Sequence, residues 1–134
     1  MHIVDMNELY DIVVLDFYNK NSKRRNCMAI KRIWHGWTSL ENADKYQRLL
    51  HDKIFPGIEA KQILGYQSIE LFRKDLDNEV EFITIMTFDS LKNVIDFQGY
   101  NYTRCYVPDA AKKLLKRWNQ TSAHYEAIEY RKYE

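Results

Sequence analysis

Residues 65–88 constrain the fold of this chain more tightly than any other stretch. Gly65-Tyr-Gln-Ser-Ile-Glu-Leu-Phe-Arg-Lys and Glu79-Val-Glu-Phe-Ile-Thr-Ile-Met-Thr-Phe are rich in β-branched and aromatic residues, and Asp75-Leu76-Asp77-Asn78 separates them. Asp and Asn tolerate the backbone angles of a tight turn, so the stretch predicts a β-hairpin. In its second strand Val80, Phe82, Thr84, Met86 and Phe88 share one face, and Glu79, Glu81, Ile83, Ile85 and Thr87 share the other. Beyond the first turn both faces are largely apolar. One layer of helices covers one face only, so the other is expected to pair with the same face of a second copy.

The rest of the composition bounds what such a sheet belongs to. The chain has 134 residues, 46% of them hydrophobic and 29% charged, enough for one domain with its own core. Lys+Arg number 20 and Asp+Glu 19, for a net charge of +1, which gives no electrostatic case for nucleic acid or for an anionic membrane as partner. Cys27 and Cys105 lack metal-ligand spacing and read as free thiols of a reducing compartment, so a cytoplasmic location is expected.

Residues 1–27 differ in character from the rest of the chain. Ile12-Val13-Val14-Leu15 is too short to span a bilayer, and Asp5, Glu8 and Asp11 precede it where a signal peptide carries positive charge. The polar, basic segment Asn19–Asn26 has linker composition, and Met28 comes shortly after it. Residues 1–27 are read as an N-terminal appendage outside the core, and 28–134 as the domain; the alternative is an extra strand or helix packed on that domain.

Within 28–134 the first strand is Ile30–Trp37, with Ile33, His35 and Trp37 on one face and Arg32 and Trp34 on the other. Thr38-Ser39-Leu40-Glu41 has the spacing of a capping box, and Ala43, Tyr46, Leu49, Leu50 and Ile54 recur at helical spacing until Pro56-Gly57 ends or kinks the helix. After the hairpin, Asp89 or Ser90 caps a short helix that stops near Gly99. Pro108-Asp109 opens a further predicted helix burying Ala111, Leu114, Leu115 and Trp118, with Lys112, Lys113, Lys116 and Arg117 as its solvated stripe. Ser122–Tyr130 reads as the last strand. The order is that of an α+β, ferredoxin-like βαββαβ sandwich with four antiparallel strands and helices on one face.

Ile33-Trp34-His35-Gly36-Trp37-Thr38, Phe55-Pro56-Gly57-Ile58, Glu81-Phe82-Ile83-Thr84-Ile85-Met86, Phe88-Asp89-Ser90-Leu91 and Ser122-Ala123-His124-Tyr125-Glu126 resemble the antibiotic biosynthesis monooxygenase-like family of the dimeric α+β barrel superfamily. The resemblance covers roughly 29–130 and implies a homodimer in which two sheets pair as a barrel. It also implies cofactor-free oxidation of a small aromatic molecule as one activity of the family. The catalytic residues of oxidising members, an Asn in the first strand and a Trp late in the third, have no counterpart here. Haem-degrading members add a His on the following helix, and no His lies between Thr87 and Trp118.

His35 is the first candidate for chemistry, because it shares a strand face with Trp37 and is suited to bond a phenol or enol while the indole stacks on its ring. His124, in the last strand, is expected to approach His35. His51 reads as an exposed helical residue. Glu70 and Glu81 are carboxylates among apolar neighbours, expected either to act as bases or to pair with Arg32 or Arg73. Residues Tyr100–Tyr106 read as a lid or pocket wall, with Tyr66 and Phe97 beside it. No metal or cofactor site is expected, since no metal-ligand spacing, glycine-rich phosphate loop or nucleophile elbow is present. The leading expectation is a cofactor-independent monooxygenase-like protein using His35 and His124 as catalytic residues, with Trp37, Tyr66, Phe97, Tyr100 and Tyr106 around a small aromatic or enolisable substrate. The alternative is a non-catalytic dimeric small-molecule-binding or structural domain.

Overall fold

A computed structural model of the chain describes residues 29–134; residues 1–27, expected to be an appendage, lie outside them. The hairpin forms as the alternation requires. Strand β2 (Tyr66–Asp75) pairs antiparallel with β3 (Val80–Phe88), and the amide of Leu76 donates to the carbonyl of Glu79 to close the turn at 2.8 Å. Strand β1 (Ile30–Thr38) pairs along the whole far edge of β3, from Ile30 opposite Phe88 to Thr38 opposite Val80.

The other edge of β1 departs from the four-strand expectation. Leu115–Trp118, expected in a helix, is strand β4 and pairs with Gly36–Thr38; the predicted helix is confined to Asp109–Lys112. The last strand, β5, is also shorter than expected, at Ala123–Glu126, and pairs with Ile30–Ile33. The sheet is therefore five-stranded, in the order β2-β3-β1-β4 with β5 also on β1. In effect β4 and β5 are one edge strand interrupted by residues 119–122, which bow outward beside His35: Asn119 still bonds the His35 backbone, while Gln120, Thr121 and Ser122 pair with residues 103–105 instead of β1.

Helices cover one face. Helix α1 (Ala43–Leu49) runs through a π-type turn, Leu50–Ile54, into α2 (Phe55–Ala60). Pro56 lacks an N–H, so the α-type bond it would make is missing, and the wider turn just before it accommodates the gap. The capping box does not form. Thr38 is held in the sheet as the last residue of β1, and it is Ser39 whose Oγ accepts from the Asn42 amide at 3.1 Å. Helix α3 (Leu91–Gln98) follows expectation, with Ser90 as N-cap accepting from the Asn93 amide at 3.3 Å and Gly99 at φ 90° closing its C-terminus. Helix α4 is the short Asp109–Lys112.

Two apolar clusters lie between sheet and helices. Ala43, Tyr46, Leu50, Val80, Phe82, Val107, Ala111 and Leu115 form one, with Tyr46 edge-on to Phe82 at 5.0 Å. Ile30, Met86, Phe88 and Val94 form the other. Gly36 is required where β1 passes the first cluster, because a Cβ there would lie 2.7 Å from the Trp34 ring and 3.0 Å from Leu115. The opposite face of the sheet carries Ile33, Ile83 and Ile85, half-buried, and Phe72, which is 46% exposed. Among the described residues no layer of helices covers this face, and the sheet is open.

Candidate functional site

The β1–β3 register places Trp37 opposite Glu81 and His35 opposite Ile83, so all four side chains lie on the open face. His35 Nδ1 lies 2.7 Å from Glu81 Oε2. A carboxylate only accepts, which puts the proton on Nδ1 and leaves Nε2 as the basic nitrogen of the ring. The Trp37 ring stacks beside the imidazole with centroids 6.0 Å apart. The Trp37 ring also carries the Arg117 guanidinium at 3.9 Å, and Arg117 is itself tied to Glu79 at 2.7 Å. His35 and Glu81 keep 35% and 21% of their side-chain surface exposed, so the pair is within reach of a ligand from solvent.

The bowed residues 119–122 turn this surface into a cleft. A shallow, widely open cleft of about 620 Å³ is lined by Ile33, His35, Asn119, Thr121, Ala123 and Tyr125, among others. Extra residues in an edge strand re-aim side chains and open space beside the neighbouring strand, as bulges commonly do near functional sites. Asn119 is bonded to β1 through both backbone and side chain: its amide donates to the His35 carbonyl at 2.9 Å, and its Oδ1 accepts from the His35 amide at 3.1 Å. The sequence alone did not single out Asn119. The polar run Asn119-Gln120-Thr121-Ser122 between Trp118 and the last strand was the available signal.

His124 does not approach His35, contrary to expectation. It pairs with Arg32, and Arg32 is on the helix-side face, so the two histidines lie on opposite sides of the sheet. His124 Nε2 is 2.9 Å from Arg32 Nη1; an arginine only donates, so Nε2 accepts and the proton sits on Nδ1. Tyr102 lies edge-on to the ring at 5.0 Å. Burial first, and then the Arg32 charge, push the His124 pKa down to about 4, so it stays neutral at physiological pH.

Arg32 is 5% exposed and also donates to the carbonyls of Tyr102 and, at 3.2 Å, of Arg104. It thereby clamps the 100–106 segment to β1, which corrects the reading of that segment as a lid. Cys105, in this cluster, contacts Ser122 Oγ at 3.2 Å, and burial pushes its thiol up, away from the reactive thiolate.

The expected aromatic wall is dispersed. Tyr66 and Phe97 pack on Phe88 at 5.4 and 5.8 Å, on the helix side of the sheet. Tyr100 and Tyr106 are 97% and 81% exposed. Only Trp37 of the five sits beside His35. Glu81 pairs with neither Arg32, which is on the other face, nor Arg73, which is held by Asp44 and Asp75 at 2.7 and 2.8 Å. Glu70 is exposed, and His51 bonds Asp52 at 2.9 Å in solvent. Lys116 and Arg117 are not part of a helical stripe: both meet Glu79 from strand β4. Among the described residues no group of three or more His, Cys, Asp or Glu is placed to hold a metal ion, and no helix is long and apolar enough to cross a membrane.

No protein-family model matches the chain, and no curated protein sequence does. Among solved structures the chain is similar to one from Bacillus cereus described as a "putative antibiotic biosynthesis monooxygenase". The match has a TM-score of 0.54 at 8% sequence identity and covers 79% of this chain and 99% of that one. At such low identity the likeness concerns the backbone, and it shows that the chain has the ferredoxin-like α+β fold of that protein.

Proposed function

We propose that the chain is a cofactor-independent, monooxygenase-like protein that acts on a small aromatic or enolisable substrate in the cleft beside β1. The observation that carries this reading is that His35, which lines an open cleft, is paired with Glu81 at 2.7 Å and stacked beside Trp37. Glu81 orients the imidazole and stabilises the imidazolium that forms when Nε2 takes a proton, the arrangement a general base requires. Trp37, with the Arg117 guanidinium over its ring, braces the imidazole from the side.

A carbon acid flanked by aromatic rings supplies its own electrons once His35 has removed a proton. The carbanion adds to molecular oxygen with formation of a C–O bond, and the hydroperoxide loses water. A CH₂ group and O₂ thus become a C=O group and H₂O. The protein supplies the base, the orientation and partial exclusion of water. The name of the Bacillus cereus protein supports the same reading through the shared fold.

Oxygen uptake with a hydroxylated anthrone in metal-free, flavin-free buffer tests it. Uptake is expected, with water and the quinone formed in equal amounts, and His35→Ala should abolish it. A second reading, a non-catalytic small-molecule-binding domain, draws on the exposure of the dyad and on the absence from β1 of the family's Asn. Binding of the anthrone without uptake would establish that reading instead. In either case we propose a homodimer built on the open sheet face, with the cleft at the edge of the pairing.

A further inference from the structure

Asn119 presents a second functional group to the cleft. Its backbone amide and carbonyl are both occupied, the latter by Trp34 Nε1 at 2.9 Å. Its side-chain orientation is fixed as well, because the His35 amide is a donor and must meet the oxygen, at 3.1 Å. The other side-chain atom is therefore the Nδ2 amide, and among the described residues it has no partner. Asn119 and His35 line the same cavity. The cleft thus combines one base, His35 Nε2, with one oriented neutral donor, Asn119 Nδ2.

Such a pair matches a ligand in which loss of a proton places negative charge on a nearby oxygen. We propose that Asn119 Nδ2 donates to the oxygen of an enolisable carbonyl or a phenol while His35 Nε2 takes the proton, so that the site favours the enolate or phenolate over the neutral form. A preorganised donor aimed at developing charge costs no reorganisation when the charge appears. The inference rests on His35 being the base proposed above. It adds a substrate-contacting residue and narrows the substrate class to compounds with an oxygen conjugated to the acidic position. Ethers and simple hydrocarbons are excluded.

A nitrophenol is the probe, because its absorbance distinguishes phenolate from phenol; its methyl ether is the uncharged control. Asn119→Asp keeps an oxygen for the His35 amide and removes the donor. It should weaken nitrophenolate binding at least about tenfold, as loss of a hydrogen bond to a charged group does, and return the bound probe to the neutral phenol, while ether binding stays within about threefold. Should Asn119→Asp not fold, Asn119→Ser offers the same amide an acceptor without the side-chain N–H, and the same loss is expected. If His35→Ala loses the phenolate but both Asn119 variants bind it like the wild type, the role of Asn119 is overturned and the His35 site stands. If neither His35→Ala nor the Asn119 variants change binding, the site itself is overturned, and this inference with it.

Discussion

At the scale of single residues, the two histidines on neighbouring strands differ because they face opposite sides of one sheet. His124, beside the Arg32 guanidinium, has a pKa depressed to about 4 against an ordinary 6.5. As pH falls the unfolded chain takes up this proton first, so stability is full above pH 6.5, declines down to about pH 4 and levels off below. Asp44 and Glu79, held below their ordinary values by Arg73 and Arg117, titrate at the acid end of that window or beneath it. The difference between wild type and His124→Gln in thermal melts from pH 7 to pH 4.5 therefore reports His124. The midpoint should fall across that range, and His124→Gln should flatten the dependence; an unchanged slope in the variant would refute the assignment. Gly36→Ala is expected to cost about 1 to 3 kcal/mol by chemical denaturation, since the new methyl must displace the Trp34 ring from a filled core. His35 and its stacking partner Trp37 were legible from their spacing on one strand. Glu81 was legible only as a carboxylate, because its partner was set by cross-strand register, and Asn119 was hidden because its role depends on where a loop bows.

At the scale of elements, the hairpin and the first strand were readable because alternation over nine or ten residues has one interpretation. Leu115-Lys116-Arg117-Trp118 was not, since four residues fit a helical and a strand period equally, and Leu, Lys and Arg favour a helix intrinsically. The free backbone edge of β1 at Gly36–Thr38 decided the matter, by offering hydrogen bonds that a continued helix could not use. The same edge explains the missing capping box. Thr38 satisfies its backbone in the sheet, and its fully buried Oγ1 has no partner among the described residues. The two arrangements make opposite predictions for Thr38→Val. A capping hydroxyl would be missed by about 1 kcal/mol, whereas removing an unpaired buried hydroxyl at nearly constant volume should leave stability unchanged or raise it by up to about 1 kcal/mol. Urea denaturation is expected to show the second, and a clear loss would restore the capping box.

At the scale of the whole molecule, the two core clusters and the five strands of the described residues form a core on one face of the sheet. A chain beginning at Met28 is accordingly expected to fold and melt cooperatively; loss of cooperativity by circular dichroism would place residues 1–27 in the core. The other face carries Ile33, Ile83, Ile85 and the exposed Phe72 around the His35 cleft. Stable interfaces bury about 1,200 to 2,000 Å² in total. If about 600 Å² of that is apolar, burial at about 25 cal/mol per Å² gives about 15 kcal/mol, comparable with the upper range of about 4 to 15 kcal/mol that association costs. The pairing is thus within reach of this face but leaves little surplus, so one buried charge at its centre should abolish it. Light scattering at micromolar concentration is expected to report a dimer for the wild type and a monomer for Ile83→Glu, with the variant still melting cooperatively because Ile83 points away from the helices. Residue 83 sits directly opposite His35, so the monomeric variant should also bind nitrophenol more weakly if the second copy roofs the cleft. A monomeric wild type, or a dimer indifferent to Ile83→Glu, would locate the self-contact elsewhere or remove it.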